Sequence, residues 1–345
     1  MTTIKITFKP KQVASRLVSV IDNDRARNVL IRRYGLTDTG TIETLESVGQ
    51  SYGITRERVR QIENHALKSI QKSAEYKDLA ASFGELANAI ESLGGVAPQE
   101  ELLSQLSKTA KDENHLLFLL NVSDSFDRKK EGGEFVHHWY LDGTRAKSVR
   151  DAIRSLYSSL NETIVLPEEE IIERYKEELV KAEVAQDNAE TLLRWLSLSK
   201  KIASNPLGEW GRASSPSVRV KGMRDYAYLT LKRHGSPMHF SEVADQVYTL
   251  FGRKAHVATT HNELIKDSRF VLVGRGLYAL AEWGYSKGVV KDVIREVLKK
   301  DGPLTKKEII DRVKRERYVK DNTIAVNLQD TNTFSHEEDG TFSLI

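Results

Sequence analysis

Apolar positions recur at helical spacing along most of the chain and alternate only over short runs. In GITRERVRQIENHALKSI, residues 53–70, Val59, Ile62, Ala66 and Ile70 keep that spacing and predict the buried face of a helix. Its opposite face carries Arg56, Glu57, Arg60, Gln61 and Asn64. Just upstream, TLESVGQSYG (44–53) predicts a shorter helix with Leu45 and Val48 turned inward. Gly53 ends it, since glycine accepts positive φ at little cost. Thr55 is placed to cap the following helix through its hydroxyl. NDRARNVLIRRYGL predicts a further amphipathic helix closed by Gly35. Two short helices across a glycine turn, the second polar near its start, make a helix-turn-helix.

The rest of the chain repeats. Pro98, Pro167, Pro237 and Pro303 are separated by 69, 70 and 66 residues. Each follows an apolar helix and precedes an acidic–apolar pair that opens another: Glu101-Leu102, Glu170-Ile171, Glu242-Val243 and Glu308-Ile309. A fixed period of this kind means one supersecondary unit used several times. Phe270, Tyr278 and Leu280 return as Phe334, Phe342 and Leu344, with Gly276 and Gly340 at the matching turns. Helices followed by a two-stranded hairpin describe a winged helix. In the first copy FDRKKEGGEFVHHWYL reads as the wing, with Gly132-Gly133 at its tip. The second copy is the least regular, because NPLGEWG leaves little room for a hairpin. GRASSPSVRVKG (211–222) reads as a linker between the two middle copies. The predicted fold is mainly α with small β-hairpin wings: an N-terminal helix-turn-helix followed by tandem winged-helix modules. The boundaries are 1–73, 83–143, 147–213 (a divergent copy), 222–284 and 286–345.

Composition narrows the classes. With 39% hydrophobic and 29% charged residues in 345, the chain fits an ordinary globular protein. It has no cysteine, which excludes disulfides, thiolate zinc sites and a cysteine nucleophile. No apolar run approaches the ~18 residues of a membrane span, and MTTIKITFKPKQ lacks a secretory h-region. A cytoplasmic location without a membrane partner is expected. The net charge of +3 is uneven: residues 1–73 hold 13 Lys and Arg against 7 Asp and Glu, and are therefore basic. A basic head on a slightly acidic body is what a polyanion partner requires.

The polar face of the 53–70 helix has the chemistry of a DNA reader. Arginine clasps guanine O6 and N7, glutamate accepts from cytosine N4, and glutamine pairs with adenine. Arg25, Arg32 and Arg33 stand ready for phosphates. The same charges also fit the solvated surface of a three-helix bundle with a protein partner. Other signals carry less. Gly274-Arg275-Gly276 lacks the strand–GxGxxG–helix context of a phosphate loop and reads as a hairpin tip. His137 and His138 point to opposite faces of a strand, and His256 and His261 are badly spaced for one metal. Glu168-Glu169-Glu170 open a helix, where carboxylates favour the macrodipole. Arg128-Lys129-Lys130 suit either a DNA-touching wing or a solvated hairpin. No catalytic residue, cofactor, metal or small-molecule substrate is predicted.

The run from Asp24 to Ile70, with RxxxVLxxRYGL, TLESVG and GITRERVRQIENHALKSI, resembles region 4 of bacterial sigma factors. TRERVRQIE is a far more specific signature than a generic helix-turn-helix. The resemblance implies a second helix in the major groove of a promoter −35 element. Arg56, Glu57 and Gln61 would face base edges there, while Arg25, Arg33, Thr44, Thr55, Arg58 and Arg60 position the backbone or support those contacts. It also implies double-stranded DNA and RNA polymerase, through the flap of its β subunit, as partners. The chain departs at Asn64-His65, where the family commonly has Ala-Lys, so the resemblance implies no contact from that end of the helix. The resemblance covers about 50 of 345 residues. No aromatic-rich segment resembles the part of complete sigma factors that opens the −10 element, so a full sigma factor is not expected. In the third repeat, YLTLKRHGSPMHFSEVADQV, THNELIKD and FVLVGRGLYAL resemble the HARE-type winged helix-turn-helix. That family occurs in the polymerase delta subunit, in chromatin factors and fused to restriction enzymes, in protein or DNA contact rather than catalysis. The expectation is a non-enzymatic, sequence-specific transcription factor. Two alternatives stay open: a polymerase accessory subunit docked on the β flap without base readout, and the DNA-recognition subunit of a defence nuclease.

Overall fold

The computed structural model describes residues 4–107, 109–162, 164–285 and 288–345. The first three residues of the expected head and the first two of the expected last module, 286 and 287, lie outside the described residues. Contacts divide the chain into two units, one of residues up to Ser204 with Glu209–Ala213, the other of Asn205–Gly208 with Ser214–Ile345. The structure is mostly helical with small antiparallel sheets.

The first unit begins with a helix that the apolar pattern did not single out, α1 (Pro10–Ser19). Pro10 stands at its start, where a missing N–H costs nothing, and Val13, Ala14, Leu17 and Val18 turn inward. Next come α2 (Asp24–Tyr34), α3 (Leu45–Tyr52), α4 (Arg56–Gln71), the short α5 (Ala74–Asp78) and α6 (Ala80–Ser92). Then follow β1 (Val96–Pro98), α7 (Gln99–Leu106), α8 (Ala110–Val122), β2 (Asp127–Lys129) and β3 (His138–Tyr140). The three strands form an antiparallel sheet in the order β1-β3-β2. One apolar core runs through all of this: Leu17 of α1, Leu30 of α2 and Ile70 of α4 join Leu86, Phe118 and Trp139. The helices before residue 73 therefore share their interior with the repeat that follows them.

The second repeat has α9 (Gly143–Ser159), α10 (Glu168–Lys181), α11 (Ala189–Leu196), β4 (Ile202–Ser204) and β5 (Trp210–Arg212) around Ile153, Tyr175, Leu192 and Trp195. NPLGEWG does turn a hairpin: β4 pairs with β5, and Gly208 takes φ 79° in the connection. Before α10, a single antiparallel bridge joins Leu166 to Trp210. The stretch 211–222 is not a free linker. Gly211 and Arg212 lie in β5, while Ser215, Ser217 and Val218 are buried. The side-chain amide of Asn205 donates to the Ser217 carbonyl at 3.0 Å. The reason is polar satisfaction: these small side chains bury their backbone while it stays hydrogen-bonded.

In the second unit α12 (Met223–His234), β6 (Met238–His239), α13 (Phe240–Phe251), α14 (Val257–Lys266), β7 (Phe270–Gly274) and β8 (Leu277–Leu280) surround Leu231, Val243, Leu264 and Phe270. The pattern returns as α15 (Val290–Asp301), β9 (Leu304–Thr305), α16 (Lys306–Glu316), α17 (Asp321–Asn327), β10 (Phe334–His336) and β11 (Thr341–Leu344). The hairpin registers coincide. Phe270 faces Leu280 and Leu272 faces Tyr278, as Phe334 faces Leu344 and His336 faces Phe342. Each sheet places the later hairpin strand between its partner and the short strand near the proline.

Candidate nucleic-acid interface

Three valines, Val29, Val48 and Val59, are fully buried where α2, α3 and α4 meet, with Leu45, Tyr52, Ile54 and Ile62 around them. Gly49 belongs to this packing. A Cβ there would stand 2.7 Å from the Ile54 carbonyl oxygen, too close for any side chain. Gly53 closes α3 in the left-handed region at φ 62°. The Thr44 hydroxyl accepts from the Ser47 N–H at 3.1 Å, and the Thr55 hydroxyl accepts from the Arg58 N–H at 3.2 Å. Both helices thus start on capped ends, and the register of α4 is fixed.

That register leaves Arg56, Glu57, Arg58, Arg60 and Gln61 exposed. The Arg60 guanidinium clasps Glu57 with bonds of 2.9 and 2.6 Å, and this holds the Glu57 carboxyl below its ordinary range. Arg58 donates to the Gln61 side-chain oxygen at 3.1 Å. Arg56 makes no hydrogen bond or ion pair among the described residues. Arg25 lies 4.8 Å from the centre of the Tyr52 ring and donates to the Tyr52 carbonyl at 3.4 Å. With Asn23, Arg58, Gln61 and His65, it lines a cleft of about 590 Å³ beside the start of α2 and the middle of α4.

Arg32 and Arg33 are engaged inside the protein. Arg33 is 22% exposed at its side chain; it donates to Glu63 at 3.1 Å and to the Glu43 carbonyl. Arg32 binds both oxygens of Glu43 at 2.6 Å and the Ser51 hydroxyl at 2.7 Å. Together with the Ser47 hydroxyl, Arg32 pushes the Glu43 carboxyl down to about 2. These pairs pin the connection from α2 to α3. A further brace comes from α8, where the Asn114 amide donates to the carbonyls of Gly35 (3.2 Å) and Gly40 (2.8 Å). Glu43, Glu63 and Asn114 escaped the sequence reading because no local spacing links them to their partners.

The stretch expected to form a wing in the first repeat is also engaged. Val136 and Lys200 exchange backbone bonds with Leu198 and Glu134 at 2.9 and 2.8 Å, and Glu131 and Glu134 pair with Lys200 and Lys201. Arg128 lies over the Trp139 ring at 5.6 Å, while Lys129 and Lys130 remain exposed. Among the described residues, no group of three or more His, Asp or Glu side chains is placed to hold a metal ion.

Comparison with known proteins bears on this head. Residues 23–72 match the family model of sigma-70, region 4. Over 66 residues the chain is 47% identical to the RNA polymerase sigma factor SigA of Listeria monocytogenes, which covers 19% of this chain and 17% of that protein. The SigA of Listeria innocua matches to the same extent. The chain therefore spans 17% of the length of these relatives. The region 4 match encloses α2, α3 and α4, and every residue of the candidate face falls within it.

Proposed function

We propose that this protein is a sequence-specific DNA-binding transcription factor whose region 4 head recognises a −35-like promoter element. The observation that carries the reading is the exposed row on α4, with Arg56, Glu57 and Gln61 at its N-terminal half. That is the end of a recognition helix that reaches base edges. Arg25, Thr44, Thr55, Arg58 and Arg60 serve the backbone or hold the readers in place, and Arg33 acts as an internal support. Behind the head stand tandem winged-helix modules, the third of HARE type, that contact polymerase or flanking DNA. The protein works by binding, without chemistry, without promoter melting and in the cytoplasm.

A second reading is favoured by a groove of about 420 Å³ with Val18, Ile31 and Leu36 on its walls. There the head docks on the flap of the polymerase β subunit without reading bases. Titration of the full chain against duplex DNA over a range of salt separates the two. A head that neutralises several phosphates loses about 0.9 in log K per contact for each unit of log salt. Replacing Arg25, Arg56, Arg58 and Arg60 together by alanine should flatten that slope. An unchanged slope and affinity would move the DNA contact out of the head.

A further inference from the structure

The second unit carries a groove of about 600 Å³ along the outer strand β7. Leu272, Val289 and Tyr318 stand in its wall with 49%, 67% and 56% of their surface exposed. Such exposure is large for side chains gathered in one concavity. The charged residues of the wall are Arg275, Arg317 and Lys320, and none of the lining residues is acidic. Arg317 is held by the carbonyls of Leu272 and Gly288. Arg275 and Lys320 make no ion pair among the described residues. The groove is thus apolar at its base and of one sign at its edge. It fits a partner segment that is acidic and carries an exposed apolar side chain.

The chain itself displays such a segment. Residues 168–190 hold nine Asp and Glu against three Lys and Arg. On α10, Glu169, Glu173, Glu177 and Val180 follow one another at spacings of four, four and three, so they share one stripe. All four are exposed, Val180 at 71%. Glu169 and Glu177 make no ion pair among the described residues, and Glu173 pairs only with Lys176 on the same helix. An exposed valine beside unpaired carboxylates is the complement of a cationic groove with an apolar base.

We propose that the protein self-associates, the groove of one copy receiving the acidic stripe of α10 from a second copy. Val180 enters among Leu272, Val289 and Tyr318, while Glu173 and Glu177 meet Arg275 and Lys320. Complementary charge fixes orientation and speeds encounter, and it makes the contact salt-sensitive.

Sedimentation of the full chain tests this. The mass should rise above that of the 39.0 kDa monomer as concentration increases through the micromolar range, and fall back in high salt. Two charge-reversed chains, R275E/K320E and E173K/E177K, should each dissociate at least about tenfold more readily. Mixed together they should associate again, since each supplies the sign the other lost, and recovery on mixing excludes misfolding as the cause. A monomer at every concentration overturns the proposal. So does self-association that neither reversal weakens, or reversed chains that fail to recover when mixed. Capture of an acidic peptide by a groove that never takes a second copy counts against it as well.

Discussion

Arginines that look alike in the sequence do different work. The Arg58 side chain is exposed and donates to Gln61, so Arg58→Ala should weaken binding to all duplexes by similar amounts, read as a uniform loss of affinity in parallel titrations. Glu57 is different. Its removal frees Arg60 and deletes a negative charge near phosphates, so Glu57→Ala should raise affinity for random DNA while lowering the ratio of specific to random binding. Arg33 braces Glu63 and the Glu43 carbonyl with most of its side chain covered. Arg33→Ala should cost roughly 1.5–3 kcal/mol of stability, because partly buried bonds to a charged group are lost. Denaturant unfolding would show it, and base preference should not change. A stable Arg33→Ala protein with altered preference would make Arg33 a reader instead.

At the scale of elements, His138 on β3 predicts a pH effect. It is fully buried, donates from Nδ1 to the Val136 carbonyl (2.7 Å) and accepts at Nε2 from Arg150 (3.2 Å). Burial first, then the charges of Arg150, His137 and Lys129, push its pKa down to about 4. An unfolded histidine titrates near 6.5. Between these values the unfolded chain binds the extra proton, so stability should fall as pH drops from about 6.5 to about 4. The loss is at most about 3 kcal/mol. His138→Gln should remove that slope in urea titrations; an equal slope in both proteins would place its origin elsewhere. The sequence showed such elements unevenly. Val59, Ala66 and Ile70 marked the inner face of α4, and the four prolines marked the corner before α7, α10, α13 and α16. Helix α1 escaped notice because its apolar face is short, only Val13, Ala14, Leu17 and Val18. The β4–β5 hairpin was underestimated because Gly208, at positive φ, lets the five residues 205–209 turn where spacing alone left little room. For the site, the exposed row on α4 was legible from spacing. Glu43, Glu63 and Asn114 were not, since a brace from 74 residues away leaves no periodic trace.

For the molecule as a whole, the head is not a bead on a string. Leu30 and Ile70 share a core with Phe118 and Trp139, so a fragment of residues 1–73 would expose that face to water. Such a fragment should bind hydrophobic dyes and lose the sharp unfolding transition of the full chain. A cooperative fragment without dye binding would show that the shared core is dispensable. Experiments on DNA recognition therefore belong on the full chain. Base reading is assigned to α4. Its most direct test is a binding selection from randomised duplexes at one fixed salt concentration, with wild type and Arg56→Ala. Removing one bidentate contact should cost roughly 1–3 kcal/mol and relax the preference at one base pair, leaving the others in place. Identical preferences for the two proteins would contradict base reading by this helix.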